Sequence, residues 1–185
     1  MGIYISTCPK EDSMKTVLFV CLGNIARSVI AEHLLRKILI EQNISTGIQV
    51  DSCGLQGSAG TTPTQFPNIS GYVSEYAAAH PVLERFGIDV SEHVATSINL
   101  HAVRTANIVI AMDVSVLSKA PNSLFKQFPE ERSKMRLFTE LSGEQSDIVD
   151  PYGNTDENRY VKIVSEIDHI LRAHLNTLLT WINHP

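Results

Sequence analysis

Apolar residues along the chain fall into two alternating patterns. Thr16-Val17-Leu18-Phe19-Val20 is a short unbroken run rich in β-branched and aromatic residues, bounded by Lys15 and a glycine turn. Such a run predicts a strand buried on both faces. Ile30, Leu34, Leu35, Ile38 and Leu39 then recur on one face of a 3.6-residue period, which predicts a helix over 28–42. Ile48-Gln49-Val50 predicts a second strand, and the Gly-, Ser-, Thr-, Pro- and Gln-rich stretch 55–70 carries no helix or strand signal and reads as a long loop. Residues 73–86 predict a helix closed by Gly87, a residue suited to a left-handed turn after a helix end. The run Ile108 to Met112 predicts another buried strand, Leu137-Phe138 a shorter one, and Ile148-Val149 a strand end. Val161, Val164, Ile167, Leu171, Leu175 and Leu178 share one face and predict a single last helix over 157–181.

Strands that are apolar throughout and alternate with helices argue for a parallel sheet covered on both sides, a doubly wound α/β domain with right-handed crossovers. Ligands of such sheets sit beyond the carboxyl ends of the strands, so the turn after the first strand is the prime candidate site. The chain shows no internal repeat, low-complexity tract or domain boundary. Residues 15–185 therefore read as one domain, preceded by an extension, 1–14, expected to be flexible.

Charge and composition narrow the functions. The net charge of -5, from 15 basic and 20 acidic residues without long like-charge blocks, offers no footprint for nucleic acid or an anionic membrane. No apolar stretch approaches the roughly 18 residues of a membrane span, and the start MGIYISTCPKEDSMK has acidic residues where a secretory signal needs an apolar core. A cytoplasmic protein, a monomer or weak dimer, is expected. Gly2 and Ser6 formally fit an N-myristoylation pattern, but a plain extension is the simpler reading. Cys8, Cys21 and Cys53 are too few for a disulfide framework and match no zinc spacing. No metal or other cofactor is expected, and one cysteine is read as chemistry.

The first turn is Cys21-Leu22-Gly23-Asn24-Ile25-Ala26-Arg27-Ser28, a cysteine and an arginine bracketing five residues between a strand and a helix. By itself the spacing says little. Its place at a helix start changes that, because unpaired backbone N–H groups and the positive end of the helix dipole favour a phosphate dianion. Gly23 is expected to let those N–H groups converge. The same field and Arg27 favour a thiolate at Cys21, and the planar fork of Arg27 can hold two phosphoryl oxygens as lysine cannot. Downstream, Asp150-Pro151-Tyr152 precedes the last helix, and expulsion of a phenolate needs a nearby acid such as Asp150.

Together Val17 to Ser28, Ala31-Glu32, Val50-Asp51-Ser52, Gly87-Ile88-Asp89, His93-Val94-Ala95, Ala111-Met112-Asp113 and Asp150-Pro151-Tyr152 resemble the low-molecular-weight protein tyrosine phosphatase family. The resemblance implies a small flavodoxin-like fold with a four-stranded parallel sheet, and hydrolysis of phosphotyrosine in proteins through a phosphocysteine at Cys21. Leu22, Gly23, Asn24, Ile25, Ala26, Arg27 and Ser28 would cradle the phosphate. Asn24, Ser28, Ser52, His93 and Asp113 match supporting positions, while Ile25, Phe66 and Tyr152 are expected to wall the substrate pocket.

The chain also departs from the family. Ala26 replaces a common second cysteine of the loop, Val29 a usual proline, and Gly153 a second aromatic, while the loop 55–70 is about ten residues longer than the family pattern. An arsenate reductase of the same fold would need a further cysteine pair, absent after Cys53. A protein-arginine phosphatase would carry threonine at Ile25, and a non-catalytic phosphate-binding module would lack the acid or the nucleophile, both present here.

Overall fold

The structure, a computed structural model, describes residues 14–184. Gly2, Ser6 and Cys8, and with them nearly all of the extension, lie outside the described residues. In chain order the elements are β1 (Lys15–Cys21), α1 (Arg27–Glu41), β2 (Ile48–Gly54), α2 (Val73–Arg85), α3 (Leu100–Thr105), β3 (Ile108–Ala111), α4 (Leu124–Gln127), β4 (Met135–Leu137), α5 (Glu157–Ala173) and α6 (Leu175–Asn183). The strands form one parallel four-stranded sheet in the order β2-β1-β3-β4. Because β1 is followed by β2 on one side and pairs with β3 on the other, the strand order reverses beside β1, and the predicted site lies at that reversal.

Alternation along β1 divides the core. Val17, Phe19 and Cys21 pack with Ile30, Leu34 and Ile38 of α1 and with Val164 and Ile167 of α5. Leu18 and Val20 point the other way, with Cys53, Val103 of α3 and Leu124 of α4. Each fully buried Leu, Ile or Phe of these layers contributes about 1.5–3 kcal/mol relative to exposure, so both faces of the strand are fixed and its register with them.

Four expectations are corrected. β2 continues past Val50 to Gly54, because it pairs residue for residue with β1 as far as Cys21. Ile148-Val149 is not a strand end: Ile148 N–H donates to Met112 O at 3.0 Å, but Val149 is exposed and no ladder forms. The last helix is two, since His174, at φ -120° and ψ 24°, breaks it between α5 and α6. Leu171 and Leu178 stay buried on either side of that break, so the apolar stripe runs through it undisturbed. Finally, the loop 55–70 closes with a short 3-10 turn over Ile69–Gly71, where Asn68 Oδ1 accepts Ser70 N–H at 2.9 Å. Gly87 does take the left-handed conformation after α2, at φ 64°.

Candidate active site

Between Cys21, the last residue of β1, and Arg27, the first of α1, the backbone leaves most of its donors unspent. The helix start has no side-chain cap, Ala26 standing at the N-cap, and no acid in its first turn. Among the described residues the N–H groups of Gly23, Ile25 and Ala26 have no hydrogen-bond partner, and those of the first helical turn have none within the helix. This is a ready site for an anion.

The positive φ in this loop belongs to Asn24, at 56°, and not to Gly23. Gly23 answers to crowding: a Cβ there would stand 3.0 Å from Gln56 Oε1 and 3.2 Å from Thr64 Cγ2. At the end of β2 a Cβ on Gly54 would lie 2.8 Å from the Gly23 carbonyl carbon. The loop thus leans directly on a glycine backbone.

What holds Asn24 in a left-handed conformation, costly for a residue with a Cβ, is its side chain. Its Nδ2 donates to Ser52 Oγ at 2.7 Å and to Ser28 Oγ at 3.1 Å, and its Oδ1 accepts Thr96 N–H at 2.9 Å. Ser52 Oγ donates in turn to Glu32 Oε2 at 2.5 Å, and Glu32, 5% exposed, pairs with Arg36 at 2.7 Å. The carboxylate can only accept, and that fixes the direction of the chain of bonds. Ser52 spends its hydrogen on Glu32, Asn24 spends its two on the serines, and Ser28 keeps its own for Cys21 Sγ, 3.1 Å away. Cys21 Sγ also receives the Asn24 N–H at 3.2 Å. His93 Nε2 meets Asn24 O at 3.1 Å and Oδ1 at 3.2 Å, two acceptors, so this nitrogen carries the proton. Burial, above all, lowers the His93 pKa below its ordinary value.

Arg27 is 4% exposed and held by three of its five N–H donors. Its Nη1 donates to Asp113 Oδ2 at 2.5 Å and to Ile148 O at 3.1 Å, and its Nη2 to Asp150 Oδ2 at 2.5 Å. Burial works against the guanidinium charge, but Cys21, Asp150 and Asp113 outweigh it and raise the pKa above its ordinary value. Asp150 is anchored by Oδ1, which accepts Tyr152 N–H at 3.1 Å across the Pro151 turn, and its carboxylate is 43% exposed on the side of the cavity.

A cavity of about 380 Å³ opens over these groups and brings Cys21, Arg27 and Asp150 to one space. Leu22, Gly23, Ile25 and Ala26 line it from the loop, and Tyr152 from the far wall. Phe66 does not line it. Tyr72 takes that place, with Phe66 edge-on behind it at 5.1 Å and Tyr152 edge-on in front at 6.1 Å. Two aromatics six residues apart in one irregular segment gave the sequence no means of choosing between them. The long loop supplies the remaining wall through Gln56 and Thr62 to Gln65. Ser28, Ser52 and His93 are hydrogen-bonded to Asn24, Asp113 is bonded to Arg27, and Glu32, noted only as part of the resemblance, joins through Ser52.

The sequence profile of the family described as low molecular weight phosphotyrosine protein phosphatase matches residues 16–181. A human protein of that description is 34% identical over 149 residues, 80% of this chain and 86% of its own. The probable low molecular weight protein-tyrosine-phosphatase EpsP of Ralstonia nicotianae is 32% identical over 139 residues, 75% of this chain and 79% of its own. Among solved structures, the low molecular weight protein tyrosine phosphatase of T. tengcongensis superposes with a TM-score of 0.71 at 28% identity, covering 88% of this chain and 99% of that one.

Proposed function

The chain belongs to the low molecular weight phosphotyrosine protein phosphatase family, and from that premise we propose that Cys21 is its nucleophile, Arg27 its phosphate clamp and Asp150 its general acid and base. The observation that supports the assignment best is the single cavity shared by all three side chains.

In the first step Cys21 sulfur attacks phosphorus in line, the S–P bond forms, and the P–O bond to the phenol breaks as Asp150 gives its proton to the leaving oxygen. In the second, water attacks the phosphocysteine, Asp150 takes a proton from it, and the S–P bond breaks to return the thiolate. Ser28 Oγ, directed at the sulfur by Asn24, stabilises that thiolate in both steps. The N–H groups of the loop and Arg27 hold the equatorial oxygens, where charge spreads in the transition state. Ile25, Tyr72 and Tyr152 flank the aryl ring. A cytoplasmic setting, in which thiols stay reduced, suits a free cysteine nucleophile.

Release of phosphate from phosphotyrosine, measured in the presence of a chelator, tests the reading together with mass spectrometry of the quenched reaction. A phosphoryl group trapped on Cys21, and no release by Cys21→Ser, are expected. Turnover by Cys21→Ser would overturn it.

A further inference from the structure

Two polar groups in the cavity wall take no part in that chemistry. Tyr160, in the first turn of α5, is 1% exposed with its ring in the core, yet it lines the cavity. Among the described residues nothing pairs with its hydroxyl, which is not among the sealed, unpartnered polar atoms and is therefore open to the cavity. Glu75, in the first turn of α2, lines the same cavity half-buried and likewise has no hydrogen bond or ion pair among the described residues. Burial, with the charges of Glu75 and Asp150 behind it, pushes the Tyr160 hydroxyl up, so it stays neutral and can both donate and accept.

We propose that Glu75 and Tyr160 form a subsite for a cationic side chain, a lysine or arginine close to the phosphotyrosine of the substrate. The inference rests on the phosphatase reading of the cavity and adds a substrate preference to it. Arg27 is the only cation in the cavity wall among the described residues, and it is committed to the cradle. The wall formed by Gln56 and Thr62 to Gln65 carries no charge. Away from the cradle, the charged group the cavity offers besides Asp150 is therefore a carboxylate without a counterion. A carboxylate and a phenol lining one cavity are complementary to an ammonium or guanidinium: Glu75 accepts from the cation and the Tyr160 oxygen accepts a second N–H. An acidic residue in the same position would meet like charge, so the pair selects by repulsion as well as attraction.

Matched phosphotyrosine peptides differing only in a flanking Lys, Arg or Glu provide the test, with kcat/KM as the measurement. The basic peptides should be preferred roughly five- to tenfold, as a half-buried ion pair allows, and the preference should shrink as salt rises. Glu75→Gln should bring the ratio near one, Glu75→Lys should invert it, and Tyr160→Phe should narrow it. Each ratio compares two peptides on one protein preparation, so a general loss of activity in a variant cancels. Equal rates for basic and acidic peptides in the wild type, or an unchanged ratio in Glu75→Gln, would overturn the inference while leaving the phosphatase reading in place. Hydrolysis of none of the peptides would bring down both.

Discussion

Arg27 Nη1 stands 2.5 Å from Asp113 Oδ2, with the two side chains only 4% and 12% exposed. An arginine so placed is oriented before any substrate arrives, which is what a clamp for a planar array of phosphoryl oxygens requires. Lysine keeps the charge but cannot span Asp113, the Ile148 carbonyl and Asp150 at once. Arg27→Lys should therefore lower kcat by about 10³-fold or more, with KM a minor part of the effect. Asp113→Ala should leave the guanidinium short of a buried partner and cost about 3 kcal/mol in urea unfolding. Wild-type kcat in Arg27→Lys would refute the clamp.

Asp150 lies at the exposed end of the same fork, where its carboxylate meets both Arg27 and the cavity. Asparagine there keeps the Tyr152 turn but cannot deliver a proton. Asp150→Asn should slow phenyl phosphate by about 10²- to 10⁴-fold and p-nitrophenyl phosphate, whose leaving group needs less help, much less. The wild-type pH profile of kcat/KM should be bell-shaped, and the variant should lose its alkaline limb. An identical profile in the variant would assign the acid elsewhere.

The parts of this site that were legible in the sequence were those written in local pattern. β1 and α1 announce themselves by an unbroken apolar run and a 3.6-residue stripe, and the turn between them must then sit at the carboxyl edge of the sheet. α3 and α4, of six and four residues, are too short to show a period. The break at His174 left the apolar stripe intact and so left no mark on it. Asn24, rather than Gly23, adopts the left-handed conformation because Ser52 and Thr96, distant in sequence, converge with nearby Ser28 on its amide. Glu32 reads locally as one more polar residue of a helix; only the packing of α1 on β2 makes it the terminal acceptor of the network.

His93 gives that network a pH limit. Burial holds its pKa below the ordinary 6.5, while the unfolded chain keeps the ordinary value. Above pH 6.5 both states are neutral at this residue and it adds nothing to the pH dependence. As pH falls below 6.5 the unfolded state takes up a proton first, so stability drops until the folded-state pKa is reached. The melting temperature of the wild type should therefore fall faster between pH 7 and 5 than that of His93→Gln, whose amide can still donate to Asn24. Parallel curves for the two proteins would place the His93 pKa at its unfolded value.

Oxidation separates the cysteines most sharply. In the sheet Val20 pairs with Cys53 and Cys21 with Gly54, so the two sulfurs leave on opposite faces. Cys21 belongs to the core under α1, and Cys53 to the core with α3 and α4. A disulfide needs Cβ vectors aimed at one another, and β1 itself stands between these. Burial, chiefly, together with the charges of Asp51 and Glu32, pushes the Cys53 thiol up to about 12, so it is neither a nucleophile nor a resolving thiol at neutral pH. Ala26 cannot serve either. Peroxide should therefore carry Cys21 through the sulfenic to the sulfinic acid, a step dithiothreitol does not reverse. In a Cys8→Ser background, prolonged peroxide should abolish activity for good, Cys53→Ser should follow the same time course, and iodoacetamide should label Cys53 only after denaturation. Full recovery with dithiothreitol, lost in Cys53→Ser, would show that the two faces of the sheet communicate by a rearrangement that this packing does not contain.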